Sequence, residues 1–218
     1  SSAARSQDRM PKKACGCASG SGSVLARAVG EGDSGAAARA ATAGQTLAVW
    51  GSALVSTAGL LSSHAIFAFM GTTPAVTADG LHYMWGILAG MPAYFLFVWL
   101  SAAFRAVGDA KTPLKLLALA VAVNLVVDPL LIFGLGPLPA LGVTGAALAT
   151  VLSWLVASAW GWVLLGGLGI RPQPFAFLRP PRFETWRALR VGLPLGREGA
   201  FFSLIYILLT RVITSFGT

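Results

Sequence analysis

Two long stretches almost empty of charge limit what this chain can become. Between Ala40 and Phe104 the only charged residue is Asp79, and between Leu116 and Ile170 the only one is Asp128. A soluble domain covers its surface with polar side chains, about a quarter of its residues being charged. Here 11% are charged, 56% are hydrophobic, and mean hydropathy is +0.72. These values argue against a water-soluble globule and against a disordered chain. They point to an all-α, polytopic transmembrane helix bundle.

The net charge of +8, from 16 Lys and Arg against 8 Asp and Glu, would suit a nucleic-acid binder if the cations shared one face. They do not. They cluster in short polar segments between apolar ones, so a lipid bilayer is the expected partner and nucleic acid is not. Five segments reach the roughly 20 apolar residues needed to cross about 30 Å of hydrocarbon. They are Gln45–Met70, Tyr83–Phe104, Pro113–Phe133, Val143 to about Leu168, and Glu198–Phe216, the last carrying Arg211.

Basic residues alternate between the connecting segments. Arg5, Arg9, Lys12, Lys13, Arg27 and Arg39 precede the first span, and the loop Gly71–His82 has none. Arg105, Lys111 and Lys115 follow the second span, and Gly134–Gly142 has none. Arg171, Arg179, Arg182, Arg187, Arg190 and Arg197 precede the fifth. The positive-inside rule then predicts an odd number of spans with a cytoplasmic N-terminus. Within Glu184–Leu193, Trp186, Leu189 and Leu193 share one helical face, which suits a helix lying in the membrane interface.

Local signals refine the spans. Thr112 is positioned to N-cap the third, with Pro113 at its first helical position. Pro92 in the second span and Pro129 in the third each delete a backbone hydrogen bond and predict a kink. Gly86 and Gly90 form a GxxxG pair, and Gly142, Gly145, Ala146 and Ala147 give the fourth span a small-residue face. Such faces let helices approach closely in lipid.

Asp128 is the leading functional candidate. It lies some 15 residues into the third span, where a charge costs several kcal/mol unless it is paired, hydrated or neutralised. Intramembrane acids of this kind serve as proton or cation sites. Asn124 sits one turn earlier on the same face and can hydrogen-bond a carboxyl group in either protonation state. Pro129 frees the carbonyl of Leu125 beside them. A carboxyl, an amide and a spare carbonyl thus gather where ions or protons are handled in broken transmembrane helices. Arg211 is expected to snorkel, and His64 and His82, near span ends, are given no role.

No P-loop, HExxH or GxSxG motif is present, and Gly30-Glu31-Gly32-Asp33 lacks the strand and lysine of a phosphate cradle. Cys15 and Cys17 are too close for a good disulfide and too few for zinc. The chain is therefore not expected to be an enzyme, to hold a metal or cofactor, or to need an obligate protein partner. Its first 20 residues contain no apolar signal-peptide core.

The run from Phe104 to Trp154 resembles the multidrug and toxic compound extrusion (MATE) transporters. It combines F-R-x-x-G-D-x-x-T-P, N-x-x-x-D-P-x-x-I-F and G-V-x-G-A-A-x-A-T-x-x-S in that order. Leu25–Asp33 resembles the loop between the family's second and third helices, and Leu189–Pro194 the entry to its second half. Ala106 stands where the family usually has Gly. The resemblance implies twelve helices in two lobes, of which this chain supplies helices three to seven. It implies export of organic cations or other small amphipathic compounds in exchange for H+ or Na+. It adds Thr150 to Asp128 and Asn124 as a hydrogen-bonded coupling cluster. The expected organisation is a polar basic segment over 1–22, a partial N-terminal lobe over 23–170, a basic, amphipathic cytoplasmic linker over 171–197, and the first helix of a truncated C-terminal lobe over 198–218. The missing helices suggest a fragment or truncated gene model. The alternatives are a lipid-linked saccharide flippase of the same superfamily and an inactive membrane fragment.

Overall fold

A computed structural model describes residues 20–134 and 139–170, together with single positions at 183, 185, 186, 190, 205, 208, 209 and 212. The described segments form six helices joined by short turns: α1 (Gly20–Gly30), α2 (Ser34–Met70), α3 (Pro74–Ala89), α4 (Met91–Ala106), α5 (Lys111–Phe133) and α6 (Gly142–Gly167). The fold is all-α, as the composition requires. The linker, the fifth span and Arg211 lie outside the described residues apart from those single positions.

The helices depart from the expected spans in instructive ways. Gly20–Gly30, expected to be a polar segment and a loop, is helical because it buries Leu25 and Ala28 against α2 and α4. The turn shrinks to Glu31–Asp33, and the Asp33 carboxylate accepts the Ala36 N–H at 2.9 Å, capping α2. This cap starts α2 at Ser34 rather than Gln45. At 37 residues and 1.5 Å per residue, α2 overshoots the hydrocarbon core, so its first turns stand outside it.

The second span is two helices. α3 and α4 meet at Gly90 with a bend of 49°. The cause is Pro92, which sits in the first turn of α4 and has no N–H to offer the Leu88 carbonyl. Ser56 on α2 fills the gap, its hydroxyl donating to that carbonyl at 2.6 Å. Pro129 has no such effect on helix continuity: α5 runs as one helix through it.

The start of α5 corrects the expected cap. Thr112 lies inside the helix, the N-cap position is Ala110, and the side chain that receives the free N–H groups is that of Asp109, one residue earlier. Its Oδ1 accepts the N–H groups of Lys111 and Thr112 at 2.9 and 3.0 Å, and its Oδ2 accepts the Thr112 hydroxyl at 2.5 Å. Those bonds favour the ionised form, led by the Thr112 hydroxyl, and hold the Asp109 carboxyl below its usual range. A depressed folded value means that the cap's contribution is present above the unfolded-chain value and is lost as pH falls through the folded value. Asp109→Ala should therefore lower the thermal midpoint in neutral detergent solution. The gap from wild type should close as the buffer is taken below the carboxylate range, a comparison read by melting both proteins across pH.

α6 is the hub: it packs against α3, α4 and α5, while α4 in turn holds α1 and α2. The small-residue faces set these contacts. An added Cβ on Gly86 would meet the Ala147 methyl at 2.8 Å, and one on Gly90 would collide with Val151. The GxxxG pair of α3 therefore seats on positions 147 and 151 of α6, one helical turn apart. The dense core lies at the end bearing the basic loops, around Leu25, Trp99, Leu100, Phe104, Leu116 and Leu165. Leu61, Leu114, Leu125 and Phe133 stand exposed along the spans, as lipid-facing side chains do.

Candidate functional site

The α5–α6 pair carries the polar cluster. α6 approaches α5 because Gly145 has no side chain: a Cβ there would lie 2.6 Å from the Leu131 carbonyl oxygen and 2.7 Å from its carbon. The backbones thus touch just beyond Pro129, and the contact brings Thr150 on α6 opposite Asn124 on α5. Asn124 Nδ2 donates to Thr150 Oγ1 at 3.4 Å. Thr150 Oγ1 donates to the Ala146 carbonyl of its own helix at 2.9 Å, leaving its lone pairs for Asn124. Two of the three expected coupling residues are therefore joined across the helix interface.

Asp128 sits one turn beyond Asn124 and is half-buried. Among the described residues no hydrogen bond or ion pair reaches its carboxylate. Pro129 leaves the Leu125 carbonyl without its usual partner one turn back. Asp128 thus lies one helical turn from an amide and a hydroxyl that are hydrogen-bonded across the α5–α6 interface. Pro92, the other residue expected to shape a helix, lies at the α3–α4 break rather than in this cluster.

Two aromatic groupings were not assigned from the sequence. Tyr94 on α4 and Trp154 on α6 face each other with ring centroids 4.8 Å apart at an interplanar angle of 48°. Trp154 lies one turn below Thr150, and that i, i+4 spacing was the available signal. At the non-basic end, Trp85 lies edge-on to both His64 and His82, at 5.8 and 6.2 Å, and its indole N–H donates to Ser63 Oγ at 3.1 Å. Only the tertiary structure brings these groups together, since His64 and Ser63 come from α2 and the other two from α3.

Residues 14–130 match the family profile described as MatE, so the match begins within the N-terminal segment. A FAD transporter of Shewanella oneidensis is 37% identical over 114 residues, covering 52% of this chain and 25% of that protein. A probable multidrug resistance protein NorM of Thermotoga maritima is 27% identical over 198 residues, covering 89% of this chain and 42% of the relative. Among solved structures, MATE in the bent conformation superposes with a TM-score of 0.71 at 28% identity, over 82% of this chain and 40% of that one. A MOP superfamily transporter from Pyrococcus furiosus, whose reversed pocket polarity suggests a different function, gives 0.69 at 28% identity over 82% of this chain and 39% of that one. The chain spans between a quarter and about two-fifths of the length of the curated relatives cited here.

Proposed function

The chain belongs to the MatE family of multi-pass integral-membrane transporters, and from that premise we propose that it works in a secondary antiporter exporting organic cations or other small amphipathic compounds in exchange for protons. The observation that carries the coupling is the Asn124–Thr150 hydrogen bond beside a half-buried Asp128. Protonation of Asp128 removes its charge and lets it donate, as the ionised carboxylate cannot. The protonated acid can donate to the Asn124 amide oxygen or to the freed Leu125 carbonyl, and forming either bond rebiases the α5–α6 contact through Thr150. A cationic substrate prefers the charged form, so proton and substrate compete for one carboxylate. Two ligands that exclude each other in this way are coupled, and reciprocity makes each drive the release of the other. Alternating access of the helical lobe supplies the path. The alternation of basic and non-basic loops supports an N-terminus on the cytoplasmic side.

The test is to reconstitute the protein in proteoliposomes and impose a pH gradient or a sodium gradient separately. Proton coupling predicts uphill movement of an organic cation under the pH gradient alone. Movement under the sodium gradient alone would transfer the same site to Na+, and movement under neither would overturn the coupling.

The FAD transporter relative favours a second reading, in which the cargo is a flavin nucleotide rather than an organic cation. Competition between FAD and an organic cation in the same vesicles separates the two: inhibition of uptake by FAD at a lower concentration than by the cation would favour the flavin.

A further inference from the structure

We infer that Lys111 and Lys115, at the start of α5, hold the headgroup of an anionic phospholipid, an interaction that lies beyond the proposed transport and does not depend on it. Both lysines are exposed, and they stand one turn apart on one face of the helix. Local electrostatics oppose them there. Like charges at this spacing repel, and the positive end of a helix disfavours cations. Arg105, by contrast, lies in the last turn of α4, where the dipole favours a cation. No compensating anion comes from the protein. Among the described residues no ion pair reaches either lysine. The acid of this turn, Asp109, has one oxygen on the N–H groups of Lys111 and Thr112 and the other on the Thr112 hydroxyl. Two cations held where their own helix rejects them mark a place that an outside anion completes.

Height and face make that anion a lipid. From Lys115 to the Gly134 cap, α5 rises about 28 Å at 1.5 Å per residue, close to the roughly 30 Å of a hydrocarbon core. Lys115 therefore stands at one edge of the core and Lys111 a turn further out, among the headgroups. Down the same face Ala118, Ala122 and Val126 are exposed in turn, and beside them Leu114 and Leu125 are 68% and 74% exposed. The opposite side of α5 is occupied: Leu116 is completely buried and packs against Gly161 of α6. The lysines thus head a bare apolar stripe, with room for phosphate at the ammonium groups and an acyl chain along the alanines. A soluble phosphate would meet only the two charges, whereas a phospholipid meets the charges and the stripe. At 3.6 residues per turn Lys115 lies opposite Asn124, so the lipid face and the coupling cluster occupy different sides of the helix.

The protein in non-ionic detergent is titrated with dioleoylphosphatidylglycerol or with dioleoylphosphatidylcholine, and bound lipid is counted by native mass spectrometry. Each lysine near a membrane surface strengthens attraction to anionic lipid about fivefold, so the wild type should prefer phosphatidylglycerol about twentyfold. Lys111→Gln or Lys115→Gln should each lower that preference about fivefold, and the double variant should come near parity. Lys111→Arg combined with Lys115→Arg should keep it. Lys12→Gln combined with Lys13→Gln removes the same charge from the N-terminal segment and should change nothing. Thermal midpoints add a second sign. Without lipid the double Gln variant should melt at or above the wild type, because the repulsion is gone, and phosphatidylglycerol should raise the midpoint of the wild type only. A wild type without a preference would overturn the site. An equal loss in the Lys12 and Lys13 variant would reduce the effect to bulk charge, and displacement of phosphatidylglycerol by equimolar inorganic phosphate would make it a site for free anions; either overturns the inference. So would a double Gln variant that melts well below the wild type without lipid, since the lysines would then serve the fold. No transport is measured, so failure of the proton coupling leaves each of these outcomes unchanged.

Discussion

Asp128→Asn is expected to abolish uphill, proton-driven export while leaving downhill substrate exchange largely intact. The substitution preserves the shape of the side chain and its ability to hydrogen-bond Asn124, and removes only the exchangeable proton and the charge. Allosteric coupling between two ligands typically amounts to about 1–3 kcal/mol, or roughly 5–150-fold in affinity. The wild-type protein should therefore bind an organic cation more tightly in alkaline than in acidic buffer by a factor in that range, and the variant should show no dependence. Two readouts are needed. Proton-driven efflux measures the coupling, and counterflow of labelled substrate between vesicle interior and exterior measures whether the folded carrier still cycles. Loss of both would indicate misfolding, and Asp128→Glu, which keeps the proton, then serves as the rescue. Wild-type efflux from the Asn variant would end the assignment of Asp128.

The second large effect concerns the contact that assembles the cluster. Gly145→Ala places a methyl group 2.6 Å from the Leu131 carbonyl oxygen, and backbone cannot step aside as a flexible side chain can. The helices must separate, which strains or breaks the Asn124–Thr150 bond as well. Overpacking of this kind costs about 1–3 kcal/mol, and a larger residue such as Leu costs more. Gly166→Ala is the matched control. No atom lies within 4 Å of its added Cβ, and replacing glycine inside a helix gains up to about 1 kcal/mol. Thermal midpoints in detergent should thus move in opposite directions for two nominally identical substitutions on α6. Equal behaviour of the two would show that α5 and α6 do not meet as described.

The contrast between these two glycines shows where sequence reading stops. Both are glycines on one apolar helix. What sets the cost of an added methyl at Gly145 is the backbone of Leu131, and that residue is supplied by another helix. The same holds for Thr112 and Asp109. Threonine before proline is a sound cap signal, but helix start is decided by which oxygen reaches the free N–H groups, and the Asp109 carboxylate reaches two of them. Pro92 and Pro129 make the point again. Each removes one N–H, but the helix breaks only beside Pro92, at Gly90, where the Ser56 hydroxyl of α2 is at hand to donate to the orphaned Leu88 carbonyl.

What the sequence determined by itself is the solvent. Long runs with single charges can be stable only in lipid, and the cost of burying a charge there singles out Asp128 with no knowledge of its neighbours. The spacing of Asn124 to Asp128 is likewise local, fixed by 3.6 residues per turn. What tertiary structure decided is every relation between helices: the closeness of α5 to α6 at Gly145, the seating of Gly86 and Gly90 on α6, the extra helix α1, and the meeting of Tyr94 with Trp154. The physical reason is that lipid supplies no hydrophobic drive between helices, so their arrangement rests on close van der Waals fit and a few hydrogen bonds. Such fit depends on pairs of residues far apart in the chain.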